Sequence, residues 1–231
     1  MNRSVVALIP ISGGDPEFSS GKTPYLNSRP LVEYTIRAAQ ESLLLDRIIV
    51  LTDSKHIAES CRSYGVEVPF LRPPELANPT APITEVLRHA LEWFSEKENY
   101  CPDWTAMLSI TYPFRPKGFV DDFIKTVLSE GVDSAFAALE ERYSHWFLRE
   151  AGQPELVSFG SDIAKAQKKP FFRELSGLMS MVRREVILSG SLYGEKLGII
   201  PTKDMWAVIN VHDLIGQQLA ELLAPQFLLS K

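Results

Sequence analysis

The sequence predicts an α/β protein in which helices cover both faces of a mostly parallel sheet. Short runs rich in β-branched residues alternate along the chain with segments whose apolar residues recur at helical spacing, the order that is typical of such sheets. Hydrophobic residues make up 45% of the 231 positions, which is enough to bury a sizeable core. We find no internal repeat, and the length fits one domain covering residues 1–231.

The first half of the chain gives clear elements. Apolar β-branched runs that end at turn residues predict buried strands, and Gly65 is a typical helix stop. The expected elements are a strand over 4–10, a helix from Pro30 to about Leu43, a strand over 46–52, a helix over 54–64 and a short strand over 66–70.

The second half continues the alternation until about residue 140. We expect a helix over 83–94, a strand over 104–110, a helix over 119–128 and a strand over 132–138. Residues 140–195 have no steady period and could form an insertion, a lid or a subunit-contact arm. The end predicts strands at 198–201 and 206–209 and a closing helix over 211–223.

Composition and charge exclude several classes of protein. The net charge of −5 lacks the basic surplus that nucleic-acid binding requires. No apolar run approaches the roughly 18 residues of a membrane span, and the first residues do not resemble a signal sequence, so we expect a cytoplasmic protein. Two cysteines, Cys61 and Cys101, predict a reduced pair, with one disulfide as the alternative, and the four histidines lack zinc-ligand spacing.

Ligands of open parallel sheets usually bind beyond the carboxyl ends of the strands, so the loops there are the place to look for chemistry. Ser12, Gly13 and Gly14 follow the first strand, and paired glycines let backbone N–H groups approach a phosphate. Lys22, in the same loop, could supply positive charge. A plain glycine turn is the alternative, because the loop matches neither standard phosphate-binding pattern.

Two further loops and one basic segment carry polar side chains. Arg72 could hold a base carbonyl or a phosphate with its guanidinium fork, although a single loop arginine is more often solvated. Ser109 and Thr111 offer two hydroxyls at the end of the strand over 104–110. Gln167, Arg173 and Ser176, with neighbouring lysines, could hold a sugar carboxylate or form an exposed basic face.

Taken together and in order, these segments resemble the acylneuraminate cytidylyltransferase family. The resemblance rests on residues 7–14, 27–34, 46–58, 64–77, 89–91, 111–115 and 213–221. It implies a nucleotide-diphospho-sugar transferase fold, which is Rossmann-like, with a small dimerisation arm at about 140–195. The implied reaction transfers CMP from CTP to a sialic, legionaminic or pseudaminic acid-like sugar and releases pyrophosphate, with Mg²⁺ as cofactor and a homodimer as the active form.

The resemblance also implies roles for individual residues. Lys22 would be catalytic, and Gln167, Arg173 and Ser176 would face the sugar acid. The nucleotide would contact Ser12, Gly13, Gly14, Arg72, Thr80, Ser109 and Thr111.

Several positions depart from the family pattern. Ser12 replaces an arginine, and Ala207 and Ile209 replace the two aspartates that would hold Mg²⁺. Asp15, Glu17, Asp204 or Asn210 could substitute as oxygen ligands. Three hypotheses follow: an active sugar nucleotidyltransferase with a modified site, a non-catalytic relative that binds nucleotide or sugar or partners an active paralogue, and an unrelated α/β binding protein.

Overall fold

The computed structural model describes residues 3–13, 25–78, 80–150, 152–157, 164 and 167–229. The strands in chain order are β1 (Val5–Ile11), β2 (Tyr25–Leu26), β3 (Arg29–Pro30), β4 (Arg47–Thr52), β5 (Trp104–Met107), β6 (Ser134–Glu141), β7 (Trp146–Leu148), β8 (Pro154–Leu156), β9 (Phe171–Glu174), β10 (Ser180–Arg183) and β11 (Leu197–Thr202). The helices are α1 (Leu31–Gln40), α2 (Lys55–Ser63), α3 (Ile83–Glu98), α4 (Phe119–Glu130), α5 (Arg184–Leu188) and α6 (Leu214–Leu229).

The central sheet has seven strands and is mostly parallel, as predicted. Its order is β11-β6-β10-β5-β1-β4, and β9 pairs with the far end of β6. β1 is parallel to both β4 and β5, and β11 is parallel to β6. β10 lies antiparallel between β5 and β6, so β4, β1, β5, β6 and β11 all point the same way.

Helices cover both faces of the sheet, which gives the predicted three layers. Val5, Ala7 and Ile9 of β1 point into a core that includes buried residues of α1, α4 and α6. The alternate residues, Val6 and Leu8, point into a second core with buried residues of α3 and α5. Two-sided burial explains why β1 reads as a continuous apolar run rather than an alternating one.

Two expected strands are wrong or incomplete. Residues 206–209 form a turn, in which the Ile209 N–H donates to the Trp206 carbonyl. This run is apolar because Ala207 and Ile209 enter the core, and a buried turn gives the same pattern as a short strand. Residues 66–70 make a single isolated parallel bridge to β4, at Glu67, and a second one follows at Leu71; Pro69 between them has no N–H to donate.

The closing helix is longer than expected and includes a proline. α6 continues past Leu223 through Pro225 to Leu229. Pro225 removes one helical hydrogen bond, but Ala224 and Phe227 on either side of it are buried in the core and hold the last turns in place.

Residues 140–195 contain both peripheral and central structure. β7 and β8 form a separate two-stranded hairpin, whereas β10 is an interior strand of the main sheet. Trp146, Phe147 and Leu148 of the hairpin are 60%, 59% and 67% exposed. The role of this segment in dimerisation or as a lid stays a prediction.

Two sequence expectations concern the whole chain. Among the described residues, none of the helices combines the length and the apolar character that crossing a bilayer needs. Cys61 is buried, Cys101 is exposed, and both are free thiols, as expected for a reduced pair.

Candidate functional site

The carboxyl ends of β1, β4 and β5 meet at one edge of the sheet, because these three strands are parallel neighbours. Ser12 and Gly13 follow β1, Asp53 follows β4, and Ser109 lies just beyond β5. The edge is therefore where the loops that sequence analysis selected come together.

Gly13 approaches the turn after β4 very closely. Its N–H donates a 2.8 Å hydrogen bond to Oδ1 of Asp53. A Cβ atom at this position would lie 2.9 Å from the Cβ of Ser54, which is closer than real side chains allow. The first glycine of the loop is thus required by close packing.

Arg72 is buried in the same cluster and is not a solvated loop arginine. Its backbone N–H donates to the Thr52 carbonyl at 2.8 Å, which continues the pairing with β4. Its Nη2 donates to the Ile11 carbonyl at 2.6 Å and to Oδ1 of Asp53 at 3.2 Å. Burial lowers the pKa of Arg72, and the Asp53 carboxylate opposes that shift.

Ser12 and Thr80 each make one hydrogen bond to residues 77–78, in the segment that follows Arg72. The Ser12 hydroxyl donates to the Ala77 carbonyl at 3.1 Å, which fixes residues 73–78 against the end of β1. Thr80 is exposed, and its backbone N–H donates to Oδ1 of Asn78.

The loop after β5 presents the two predicted hydroxyls side by side. The side-chain oxygens of Ser109 and Thr111 lie 2.9 Å apart. The Ser109 N–H donates to the Gly177 carbonyl, and a Cβ on Gly177 would lie 2.8 Å from the ring of Tyr112. Ser176, which immediately precedes Gly177, therefore lies beside this loop.

Arg115 is the structural centre of this loop, and sequence analysis treated it only as part of the family resemblance. Its guanidinium is fully buried, and burial lowers its pKa to about 9. It donates to five neutral acceptors, which are the carbonyls of Ser109, Tyr112, Gly177 and Leu178 and the hydroxyl of Thr35. An arginine placed directly after Pro113-Phe114 in a strand-end loop is the only sequence signal for it.

Two of the predicted sugar-binding residues lie elsewhere on the surface. Arg173 on β9 is half exposed, and its Nε donates to the Glu141 carboxylate at 2.8 Å. Gln167 is exposed, and its backbone N–H donates to the Ala164 carbonyl. Within the described part of the chain, neither side chain makes a hydrogen bond or ion pair to the glycine loop. Gly14 and Lys22 lie outside the described residues.

Residues 207–211, where the family resemblance calls for metal-binding carboxylates, lie at this edge of the sheet but carry apolar side chains at positions 207 and 209. The Val211 N–H donates to the Thr111 carbonyl at 2.9 Å, so residues 207–211 lie beside the β5 loop. Ala207 and Ile209 are buried in the core. Oδ1 of Asp204 and Oδ1 of Asn210 each accept from a backbone N–H of their own turn.

The described residues do not fit a protein-held magnesium site. Among them there is no group of three or more His, Cys, Asp or Glu side chains that could hold a metal ion. Asp53 is occupied by Gly13 and Arg72, and the alternative ligands Asp15 and Glu17 lie outside the described residues.

Comparison with known proteins shows similarity to enzymes that use CTP. Residues 24–96 match the family model described as cytidylyltransferase. The chain is 33% identical over 125 residues to N-acylneuraminate cytidylyltransferase of Escherichia coli O18:K1:H7, covering 54% of this chain and 28% of that protein. It is 34% identical over 111 residues to CMP-N,N'-diacetyllegionaminic acid synthase of Legionella pneumophila, covering 48% and 47% respectively. The matches thus span less than two thirds of these relatives.

Solved structures share the fold at low sequence identity. The CMP:2-keto-3-deoxy-manno-octonic acid synthetase complexed with CTP superposes with a TM-score of 0.70 at 11% identity, over 96% of this chain and 99% of that one. The 4-diphosphocytidyl-2C-methyl-D-erythritol synthase of Anaerococcus prevotii gives 0.68 at 10% identity, over 97% and 100%. These superpositions confirm the expected Rossmann-like fold, and the sequence matches show that part of the chain is similar to cytidylyltransferases that include N-acylneuraminate cytidylyltransferase.

Proposed function

We propose that this protein is a sugar nucleotidyltransferase that transfers CMP from CTP to an acidic sugar of the sialic, legionaminic or pseudaminic acid type and releases pyrophosphate. The observation that carries the proposal is the cluster of Gly13, Asp53 and Arg72 at the carboxyl ends of β1 and β4. These hydrogen bonds hold the loops in place at the edge of the sheet where α/β folds bind nucleotides. The names of the relatives support the substrate class.

The residues at the edge suggest how the reaction would be assisted. In our proposal the glycine loop places backbone N–H groups toward the triphosphate, while Ser109 and Thr111 offer hydroxyls to the nucleotide. Lys22 would neutralise charge on the leaving phosphates, and Ser176 would contact the sugar next to the β5 loop. Because the sugar hydroxyl attacks the α-phosphorus, positioning and charge neutralisation would supply most of the rate enhancement.

Mg²⁺ remains part of the proposal, bound mainly through the nucleotide. Mg²⁺ keeps several waters and is commonly held by substrate phosphates with one or two carboxylates. This mode suits a site whose described residues offer no metal-binding cluster.

A non-catalytic relative is the second candidate, and one observation favours it. Ala207 and Ile209 occupy the core next to Thr111, where the family resemblance calls for metal carboxylates. Such a protein would bind CTP or the sugar without turning it over.

The deciding experiment measures pyrophosphate release from CTP with a panel of nonulosonic acids, with Mg²⁺ or Mn²⁺ present. Release with at least one acid supports the enzyme. Binding of CTP by calorimetry without release from any acid supports the non-catalytic relative. Absence of pyrophosphate release together with absence of binding, both of CTP and of every acid in the panel, would overturn the two proposals together.

Arg72→Ala tests the nucleotide site directly. We expect CTP to bind at least about tenfold more weakly, equivalent to about 1.4 kcal/mol, with Arg149→Ala on the exposed hairpin as the matched control. Unchanged affinity for CTP would remove Arg72 from the site.

We also propose a homodimer in which the β7–β8 hairpin contacts the partner, because its exposed Trp146, Phe147 and Leu148 form an unusual apolar surface. A cytoplasmic location is proposed as well, which the two free thiols fit.

A further inference from the structure

We propose that Asp53 is a positioning residue of the nucleotide site, whose carboxylate holds Gly13 and Arg72 in one fixed arrangement. The inference rests on the proposed function and adds a residue that neither the motifs nor the resemblance assigns a role. Its basis is that one oxygen atom, Oδ1, accepts hydrogen bonds from both partners.

The chain is held by two hydrogen bonds where it leaves β1. The Ile11 carbonyl accepts from Nη2 of Arg72, and two residues later the Gly13 N–H donates to Asp53. The chain that leaves β1 is therefore fixed on both sides by the Asp53–Arg72 pair. The position of Gly13 thus depends on this pair.

The side chains of Arg72 and Asp53 are only 6% and 19% exposed, and the Asp53 carboxylate offsets part of the hydration that the arginine loses on burial. An asparagine at position 53 keeps the oxygen that can accept from Gly13 but removes the charge that faces Arg72. A charge-assisted bond is also about twice as strong as a neutral one.

The Gly13 N–H already has an acceptor in Asp53, so in our proposal Gly13 contributes to nucleotide binding by its position and not by donating its own N–H to a phosphate. Asp53 would therefore act on the nucleotide through Gly13 and Arg72 rather than by direct contact.

The chain offers a matched control. Oδ2 of Asp46 accepts from the Val5 N–H at 2.6 Å, which anchors the other end of β1 in the same manner. Asp46 lies at the opposite edge of the sheet, away from the glycine loop, because it precedes β4 whereas Asp53 follows it. Asp46→Asn thus weakens a comparable structural contact, because it removes the carboxylate charge but keeps an acceptor oxygen, and it does not touch the candidate site.

The experiment compares Asp53→Asn and Asp46→Asn by calorimetry with CTP and by thermal unfolding. We expect both variants to unfold at lower temperature, but only Asp53→Asn to weaken CTP binding, by about tenfold, or 1.4 kcal/mol. In steady-state assays the KM for CTP should rise more than kcat falls. Equal CTP affinities for Asp53→Asn and Asp46→Asn would overturn the inference.

Two further readouts separate positioning from stability and from the proposed function. Asp53→Asn combined with Arg72→Ala should bind CTP no more weakly than Arg72→Ala alone, and additive losses would overturn the inference. The Gly13 amide proton should exchange faster in Asp53→Asn than in the wild type, and no faster in Asp46→Asn. This exchange needs no nucleotide, so if the wild type fails to bind CTP the proposed function falls, and unchanged exchange alone would still overturn the role of Asp53.

Discussion

At the residue scale, Arg115 ties together three separate parts of the chain. It donates to Thr35 on α1, to Ser109 and Tyr112 after β5, and to the two carbonyls before β10. Lysine has three donors and cannot satisfy five acceptors, so Arg115→Lys should leave buried carbonyls unpaired. We expect the free energy of unfolding in urea to fall by at least about 2 kcal/mol, since each buried carbonyl left unpaired costs about 1 to 3 kcal/mol. Arg149→Lys, on the exposed hairpin, should change it by less than about 0.5 kcal/mol, and equal effects would contradict this role.

The two thiols should also differ sharply in reactivity. Burial raises the pKa of Cys61 to about 12, whereas Cys101 is exposed. Because the thiolate is the reactive form, at pH 8 only Cys101 should react quickly with a disulfide reagent in the folded protein, and both should react in urea. Cys101→Ser should abolish the fast phase. Rapid reaction of two thiols in the native wild type would contradict the burial of Cys61.

At the element scale, apolar periodicity predicts what packs against the sheet but not how it packs. β1 and β4 are recognisable because both faces of each strand are buried. The 206–209 turn has the same apolar pattern as a strand. The pattern reflects the burial of Ala207 and Ile209 in the core, and a turn can bury side chains as a strand does. β10 was not predicted because its neighbours β5 and β6 are distant in sequence, and pairing between them depends on the folded sheet.

The junction between β6 and β9 should weaken in acid. The hydrogen bond from Arg173 holds the pKa of Glu141 below its usual value, burial opposes this shift, and His145 adds to it. A carboxyl group whose pKa is lowered by folding stabilises the protein above its unfolded pKa of about 4.3 and loses that contribution as the pH falls through the folded value. Glu141→Gln should therefore lower the unfolding temperature at pH 7 but not at pH 2. A difference that persists at pH 2 would contradict an ionic contribution. High salt should reduce the effect, because the Arg173 side chain is half exposed.

At the scale of the whole molecule, strand order explains why part of the site could be predicted. The sequence places Gly13 and Arg72 in strand-end loops, and parallel strands bring such loops to one edge. The Asp53 contact could not be predicted, because it depends on the distance between neighbouring strand ends and on the burial of Arg72. Nor could the positions of Arg173 and Gln167, because β9 extends along the outer end of β6.

The last prediction concerns assembly through the β7–β8 hairpin. An isolated two-stranded hairpin is marginally stable in water, yet this one exposes Trp146, Phe147 and Leu148. Helix α6 exposes a competing apolar surface that includes Leu222, which makes Leu222→Ser the matched control for Phe147→Ser. In light scattering we expect the wild type and Leu222→Ser to have twice the 25.9 kDa of one chain, and Phe147→Ser to have the mass of a single chain.

A monomeric wild type would overturn the dimer, and dissociation by Leu222→Ser alone would move the interface to α6. Since two copies related by a twofold axis bury the same patch twice, a single substitution in the hairpin removes two contacts per dimer, so its effect should be large.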